Sequence, residues 1–229
     1  MKKKIIGLST VLLSALLASV PQSAMADGDN PLNDASFELK LSADEGGWIL
    51  FDESLFSSDV ARSGSQSMFN GGFSRTVAYP PFFVGIVSGS YQEFPADPGS
   101  RWRLTGHGLT RTVLQGTPAF GIIQVSFFDA DGKDLGTLET AEDSAAKAKT
   151  SNEVNNKTPA GEWISLDTGI ATAPEGTVAV QAFTLYVDYS GSNTSQGVYF
   201  DDMSLCASED NGDTSACDVV VNDAGEDEG

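Results

Sequence analysis

Residues 178–187 read Val178-Ala179-Val180-Gln181-Ala182-Phe183-Thr184-Leu185-Tyr186-Val187, a run rich in residues that favour β-strands. Shorter runs of similar character recur along the chain, with Gly, Pro, Ser and Asp between them. They are Trp48-Ile49-Leu50-Phe51, Arg101-Trp102-Arg103-Leu104-Thr105, Ile122-Ile123-Gln124-Val125-Ser126-Phe127-Phe128 and Val198-Tyr199-Phe200. This spacing predicts an all-β fold, an antiparallel sandwich or barrel, in one domain over residues 27–205.

The composition excludes several classes of function. The chain has 229 residues, of which 40% are hydrophobic, enough to build a core. Its 32 acidic residues against 13 Lys and Arg give a net charge of -19, which argues against nucleic acids and anionic membranes as partners. A single histidine argues against His-rich zinc sites.

The first 26 residues have the pattern of a secretory signal peptide. Three lysines at positions 2–4 precede an apolar stretch over residues 5–20, and Ala24-Met25-Ala26 is a small-x-small cleavage pattern. We therefore expect a secreted or periplasmic protein that is not inserted in a membrane after cleavage. An uncleaved membrane anchor is the alternative.

The other end of the chain is strongly acidic. Residues 208–229 contain eight Asp and Glu and no Lys or Arg, which predicts a disordered acidic tail over residues 206–229. Cys206 and Cys217 lie at its start. Because export places both thiols in an oxidising compartment, we expect a Cys206–Cys217 disulfide.

A series of motifs between these ends resembles the carbohydrate-binding modules of families four and nine, which share the galactose-binding-like β-jelly-roll. The resemblance spans about residues 32–205. It is carried by Asn33-Asp34-Ala35-Ser36-Phe37-Glu38, Gly47-Trp48, Val60-Ala61-Arg62-Ser63-Gly64-Ser65-Gln66-Ser67-Met68, Tyr91-Gln92-Glu93-Phe94, Pro98-Gly99-Ser100-Arg101-Trp102-Arg103-Leu104-Thr105-Gly106, Gly161-Glu162-Trp163, Ala173-Pro174-Glu175-Gly176-Thr177 and Val198-Tyr199-Phe200-Asp201-Asp202-Met203-Ser204-Leu205.

Asp201 is the candidate for a metal ligand. Regular alternation of the last strand would place it on one face with Tyr199, Met203 and Leu205, and a buried carboxylate needs donors or a cation. The resemblance implies a structural calcium ion held by the carboxylates of Glu38 and Asp201, with main-chain carbonyls near Ser36, Arg62 and Ser65. Alternatively, Asp201 caps a turn or pairs with Arg62, or a bulge gives the role to Asp202.

Aromatic faces and planar polar groups are what a sugar site needs. We expect Trp48, Trp102 and Trp163 to be structural, and we place candidate ligand contacts elsewhere. They are Tyr79, Phe82 and Phe83 in the insertion at residues 73–83, with Gln124, Gln181, Tyr186 and Tyr189 on opposing strands. Arg75 and Arg111 would either grip an acidic sugar or balance local carboxylates.

Motifs for catalysis are missing from the sequence. There is no G-x-S-x-G elbow and no phosphate-binding glycine motif, and His107, which we expect to be structural, is the one histidine. The sequence therefore predicts a monomeric, non-catalytic protein that binds a polysaccharide or oligosaccharide and carries a structural calcium ion. The alternatives are an extracellular structural or adhesive jelly-roll protein without sugar binding, and a small glycoside hydrolase or polysaccharide lyase.

Overall fold

The computed structural model describes residues 30–72, 77–79, 83–114, 119–140, 148–189 and 196–208. Within these ranges the chain is built from β-strands and one three-residue 3₁₀ turn at Ala43–Glu45. The strands are β1 Ile49–Phe51, β2 Ser54–Ser57, β3 Ser67–Gly71, β4 Val77–Tyr79, β5 Phe83–Pro95, β6 Arg101–Leu109, β7 Ala119–Phe128, β8 Asp134–Gly136, β9 Lys149–Thr150, β10 Ile164–Asp167, β11 Ala171–Thr172, β12 Ala179–Asp188 and β13 Gly197–Ser208. No helix in the described ranges is long and apolar enough to span a membrane.

The strands form two antiparallel sheets. The seven-stranded sheet has the order β1-β5-β12-β7-β8, with β4 paired to β5 and β9 paired to β7. The six-stranded sheet has the order β10-β6-β13-β3-β2, with β11 paired to β6. The central neighbours in space, such as β5 and β12 or β6 and β13, are distant in sequence, so this is a β-sandwich of the jelly-roll type, as predicted.

Strand β12 shows how the sequence distributes its residues between the two faces of a sheet. Val180, Ala182 and Tyr186 are fully buried in the main core, whereas Gln181 and Phe183 alternate with them and are half-buried. Because side chains along a strand point alternately to opposite faces, the even positions face the second sheet and the odd positions face away from it. We call the side of the seven-stranded sheet that faces away from the second sheet the outer face.

The core lies between the two sheets. It combines Ile123 and Val180 of the seven-stranded sheet with Phe200 and Leu205 of the six-stranded sheet. A side chain at Gly121 would collide with Val198 across this interface, so the sheets pack closely there. Trp48 and Trp102 are buried in the core, and Trp163 packs against a smaller cluster formed by Phe69, Leu109 and Tyr199.

The last strand departs from the predicted regular alternation. Asp201 pairs with His107 and Ser204 pairs with Thr105, so one extra residue is accommodated between them in a β-bulge. Met203 and Leu205 therefore lie on the core side, while Tyr199 and Asp201 lie on the opposite side of the six-stranded sheet. The prediction that these four residues share a face was wrong, because the bulge reverses the parity of the strand.

The strand also runs further than the predicted domain end at residue 205, since Ser208 still pairs with Arg101. Cys206 lies on this extension, and Cys217 lies outside the described residues, so the Cys206–Cys217 disulfide stays a prediction. The predicted signal peptide over residues 1–26 and the rest of the acidic tail also lie outside the described ranges.

Candidate functional site

A cross-strand row of side chains runs over the middle of the outer face. Ile49 of β1 pairs with Tyr91 of β5, Tyr91 pairs with Phe183 of β12, Phe183 pairs with Gln124 of β7, and Gln124 pairs with Thr150 of β9. Directly paired residues on neighbouring strands lie side by side on one face. The row therefore places two aromatic rings and a planar amide next to one another at the centre of the sheet.

Three rings on this side form a continuous aromatic surface, which we call the aromatic row: Phe51, Tyr91 and Phe183. The ring centroids of Phe51 and Tyr91 are 6.5 Å apart and those of Tyr91 and Phe183 are 5.3 Å apart, all with tilted planes. Each of the three side chains is half-buried, so each keeps part of its surface in contact with solvent. Ring faces held in this way offer apolar surface to the C–H groups of a sugar.

Gly89 makes room for this arrangement. It pairs with Phe51 on one side and with Leu185 on the other. A Cβ atom at this position would lie 2.7 Å from Cζ of Phe51 and 2.7 Å from Cδ2 of Leu185. The glycine thus lets the Phe51 ring lie down over β5 toward Tyr91.

Polar side chains lie beside the aromatic row, at neighbouring outward-facing positions of the same strands. Nε2 of Gln181 donates a 2.6 Å hydrogen bond to Oε2 of Glu93, the residue with which Gln181 pairs across β12 and β5. Nε2 of Gln124 lies 3.3 Å from Oγ of Ser126 and donates to it. The face therefore combines aromatic surface with fixed amide and carboxylate groups, the composition that carbohydrate recognition requires.

Tyr91 links the aromatic and polar parts of the outer face. Partial burial raises the pKa of its hydroxyl, and the negative charge of Glu93 raises it further. Tyr91 therefore stays protonated at neutral pH, and its hydroxyl can both donate and accept a hydrogen bond.

A second aromatic pair lies along the same face. The rings of Phe120 and Tyr189 are 5.8 Å apart, and Tyr189 is 45% exposed. Phe120 pairs with Val187, which is four residues beyond Phe183 on β12. At about 3.3 Å per residue this places the pair roughly 13 Å along the strand from the aromatic row.

The structure brings together some of the predicted ligand contacts. Gln124 and Gln181 lie on the outer face beside the aromatic row, and Tyr189 lies on its second aromatic pair. Tyr186 does not belong to the site, because its side chain is fully buried between the sheets. Burial raises the pKa of its hydroxyl, and the nearby Asp188 raises it further.

Of the predicted contacts in the insertion, Tyr79 and Phe83 pair with each other where β4 meets β5. Phe82 and Arg75 lie outside the described residues. Arg111 forms an exposed ion pair with Asp59 at 3.5 Å, as expected for an arginine that balances a local carboxylate.

None of the three rings of the aromatic row was predicted from the sequence as a ligand contact, and neither was Glu93. A signal for Phe183 was nevertheless present. Gln181 and Phe183 are two residues apart on one strand, so a strand that shows Gln181 on a face also shows Phe183 there. The same rule excludes Tyr186, which lies five residues from Gln181.

The residues predicted for a metal site meet at the turn formed by residues 62–66. The main-chain N–H groups of Ser65 and Gln66 each donate a 2.8 Å hydrogen bond to Oε1 of Glu38. On the other side of the turn, the N–H groups of Arg62 and Ser63 donate to Oδ2 of Asp201, at 2.7 and 3.3 Å. We call this arrangement the Asp201 cluster.

Asp202 completes the Asp201 cluster as an ion-pair partner rather than a buried acid. Its carboxylate lies 2.7 Å from the guanidinium of Arg62 and accepts a hydrogen bond from the hydroxyl of Ser63. Asp201, in contrast, is fully buried, and its burial raises the pKa of the carboxyl from 3.8 to about 6 despite the N–H donors. The contacts of Asp201 in the structure therefore match the alternative in which it caps a turn.

The donor chemistry of the Asp201 cluster suits calcium, which prefers carboxylate and carbonyl oxygens. Both carboxylates, however, already accept hydrogen bonds from the N–H groups of the turn. No group of three or more His, Cys, Asp or Glu side chains among the described residues is placed to hold a metal ion. Ser36 lies between Ala35, whose carbonyl oxygen accepts a hydrogen bond from the N–H of Met203, and Phe37, which is buried in the core.

Comparison with known proteins gives matches among solved structures. No family model matches the chain, and no curated protein matches it. A family 61 carbohydrate-binding module in complex with β-1,4-galactotriose is 14% identical, with a TM-score of 0.46, over 79% of this chain and 99% of that one. The C-terminal family 22 module of Clostridium thermocellum Xyn10B is 15% identical, with a TM-score of 0.46, over 81% of this chain and 98% of that one.

A family 4 module is 14% identical to the chain, with a TM-score of 0.43, over 77% of this chain and 99% of that one. The chain resembles jelly-roll carbohydrate-binding modules. The assignment of a β-sandwich is based on the sheet topology of the chain, and the assignment of the candidate site is based on the residues of its outer face.

Proposed function

We propose that this chain is an exported, non-catalytic protein that binds a polysaccharide on the outer face of its seven-stranded sheet. The observation that carries the proposal is the aromatic row, in which Phe51, Tyr91 and Phe183 form one partly exposed surface beside Gln124 and Gln181. Soluble proteins normally bury or scatter such rings, so a contiguous group with polar neighbours marks a binding face.

Two further facts support a polysaccharide as the ligand. The second aromatic pair, Phe120 and Tyr189, lies roughly 13 Å along the strand from the aromatic row, a span that several linked sugar units would cover. The signal pattern over residues 1–26 supports export, where such polymers are met.

The test is affinity electrophoresis against a panel of xylan, galactan, arabinan, mixed-linkage glucan, hydroxyethylcellulose, pectin and alginate. We expect at least one polymer to retard the protein, and the variant Tyr91→Ala/Phe183→Ala to migrate as it does without polymer. A Tyr186→Phe variant is the matched control, since it alters an aromatic residue of the same strand on the core side.

The alternatives give different outcomes in the same experiment. A structural or adhesive protein would show self-association that no glycan competes away, with no retardation on any polymer. A hydrolase or lyase would release reducing ends or unsaturated products from the polymer that retards it. Any of these results would replace the proposed function.

A structural calcium ion in the Asp201 cluster is the second part of the proposal. What supports it is the convergence of Glu38 and Asp201, from opposite ends of the chain, on one turn with oxygen-rich side chains. The ion would be held by these two carboxylates with main-chain oxygens of the segments around Ser36 and residues 62–65, and it would neutralise the buried charge of Asp201.

A further inference from the structure

The outer face carries an uneven set of charges. Its described positions on β1, β5, β7, β8, β9 and β12 include two acidic residues, Glu93 and, at the β8 edge, Asp134, and neither lysine nor arginine. Lys149 of β9 pairs with the core residue Val125 and so lies on the other side of the sheet. At the edge of the face, Asp52 and Glu53 follow Phe51 and line a pocket with Val87. The charges that surround the aromatic row within the described residues are thus carboxylates.

Glu93 is exposed, and one hydrogen bond holds its carboxylate against the neighbouring strand. The 2.6 Å hydrogen bond from Gln181 ties its carboxylate to the strand next to it, one register position from the pair formed by Tyr91 and Phe183. Its charge also reaches the aromatic row, because it raises the pKa of the Tyr91 hydroxyl in addition to the effect of burial.

Three of the four described arginines, all outside this face, have acidic partners, and the fourth, Arg101, lies on β6 of the other sheet. Arg62 pairs with Asp202, Arg103 pairs with Asp167 and Arg111 pairs with Asp59. None of these three ion pairs involves a residue of the outer face. A carboxylate or sulfate on a bound sugar would therefore meet Glu93 without a compensating cation from the described part of the face.

We propose that the outer face selects uncharged polysaccharides and rejects anionic ones, with Glu93 as the residue that determines this specificity. The inference rests on the proposed function and adds the chemical class of the ligand. Two like charges about 6 Å apart at a protein surface repel enough to change an affinity severalfold, and salt screens the effect. The net charge of -19 repels polyanions as well, so the local contribution has to be separated from the global one.

The experiment uses every polysaccharide of the panel in three forms: native, lightly carboxymethylated and, to the same degree, hydroxyethylated. The hydroxyethylated polymer controls for the bulk of the substituent. We expect the polymer that binds in its native form to lose at least fivefold in affinity when carboxymethylated at low salt, relative to its hydroxyethylated form. Most of this loss should disappear at about 0.5 M salt.

Two variants that each remove one negative charge separate the local effect of Glu93 from the effect of the net charge of the protein. Glu93→Gln should reduce the penalty for the carboxymethylated polymer about threefold, whereas Glu162→Gln, an exposed residue next to Trp163 near the six-stranded sheet, should leave it within experimental error. Equal relief by both variants would overturn the role of Glu93.

The remaining outcomes distinguish this inference from the proposed function. Equal affinity for the carboxymethylated and hydroxyethylated polymers, or a preference for pectin or alginate over every neutral polymer, would overturn the selection of uncharged ligands while leaving polysaccharide binding intact. Failure of every polymer to bind would refute the proposed function itself, and the selectivity would fall with it.

Discussion

Replacing Phe183 by alanine removes the ring at the centre of the outer face, on the strand that pairs with both β5 and β7. The ring is half-buried in the free protein, so a stacked sugar would remove about half of its surface from water, worth about 1 kcal/mol. The 5.3 Å contact between the rings of Tyr91 and Phe183 is present in the free and in the bound protein, so its loss lowers the free energy of unfolding and does not add to the loss of affinity. The expected loss of about 1 kcal/mol corresponds to an affinity about fivefold weaker.

Isothermal titration calorimetry with the polymer identified by affinity electrophoresis measures this change directly. Tyr186→Phe is the control, because Tyr186 lies on the same strand but is buried between the sheets, and its hydroxyl has no hydrogen-bond partner among the described residues. We expect Tyr186→Phe to bind like the unaltered protein. Thermal melts of both variants check that the fold is retained.

The result that would refute the assignment of the site is specific. If Phe183→Ala keeps its affinity within twofold and still melts cooperatively, the aromatic row does not contact the glycan. If Tyr186→Phe loses affinity as Phe183→Ala does, the ligand is bound through the interior of the sandwich rather than through the outer face.

Three further predictions concern the scaffold around the site. Gly89→Ala should destabilise the fold by about 1–3 kcal/mol in urea unfolding and weaken glycan binding, because the new methyl group would collide with the main-chain oxygen of Thr184 and would displace the Phe51 ring; unchanged stability would show that both neighbours can move aside. If the Asp201 cluster holds calcium, a chelator should lower the melting temperature by several degrees, and Asp201→Ala should remove most of that sensitivity; identical melts with and without chelator would contradict the ion. Without metal, the folded pKa of Asp201 is about 6 against 3.8 unfolded, so its contribution to stability is complete below pH 3.8 and is lost as the pH rises through 6. Acidification from pH 7 to 5 in the presence of a chelator should therefore stabilise the protein by about 1 kcal/mol, and Asp201→Asn should abolish this gain. Below pH 4.5 the protonation of Glu38 acts in the opposite direction, because the N–H groups of Ser65 and Gln66 lower the pKa of its carboxyl in the folded protein.

The strands could be predicted because their signal is local. The run at residues 178–187 contains its own alternation and its own β-formers, and it forms β12 at Ala179–Asp188. The same holds for the runs that became β1, β6, β7 and β13. Pairing is a different matter, because Tyr91 and Phe183 are neighbours only through a register set by the whole sheet, which no local pattern contains.

The two errors in the predicted sites have one physical origin, the parity of a strand. In β12 the alternation is regular, so Gln181 and Tyr186 cannot share a face, and counting residues would have moved the prediction from Tyr186 to Phe183. In β13 the bulge after Asp201 interrupts the alternation. Odd-numbered residues before the bulge and odd-numbered residues after it therefore face opposite sides of the sheet, so counting residues along the strand predicts the wrong face. Asp201 is buried nonetheless, since the turn at residues 62–66 covers it from the side away from the core. Its burial was therefore predicted correctly for a reason that does not hold in the structure. The N–H donors of that turn supply the contacts that a buried carboxylate requires.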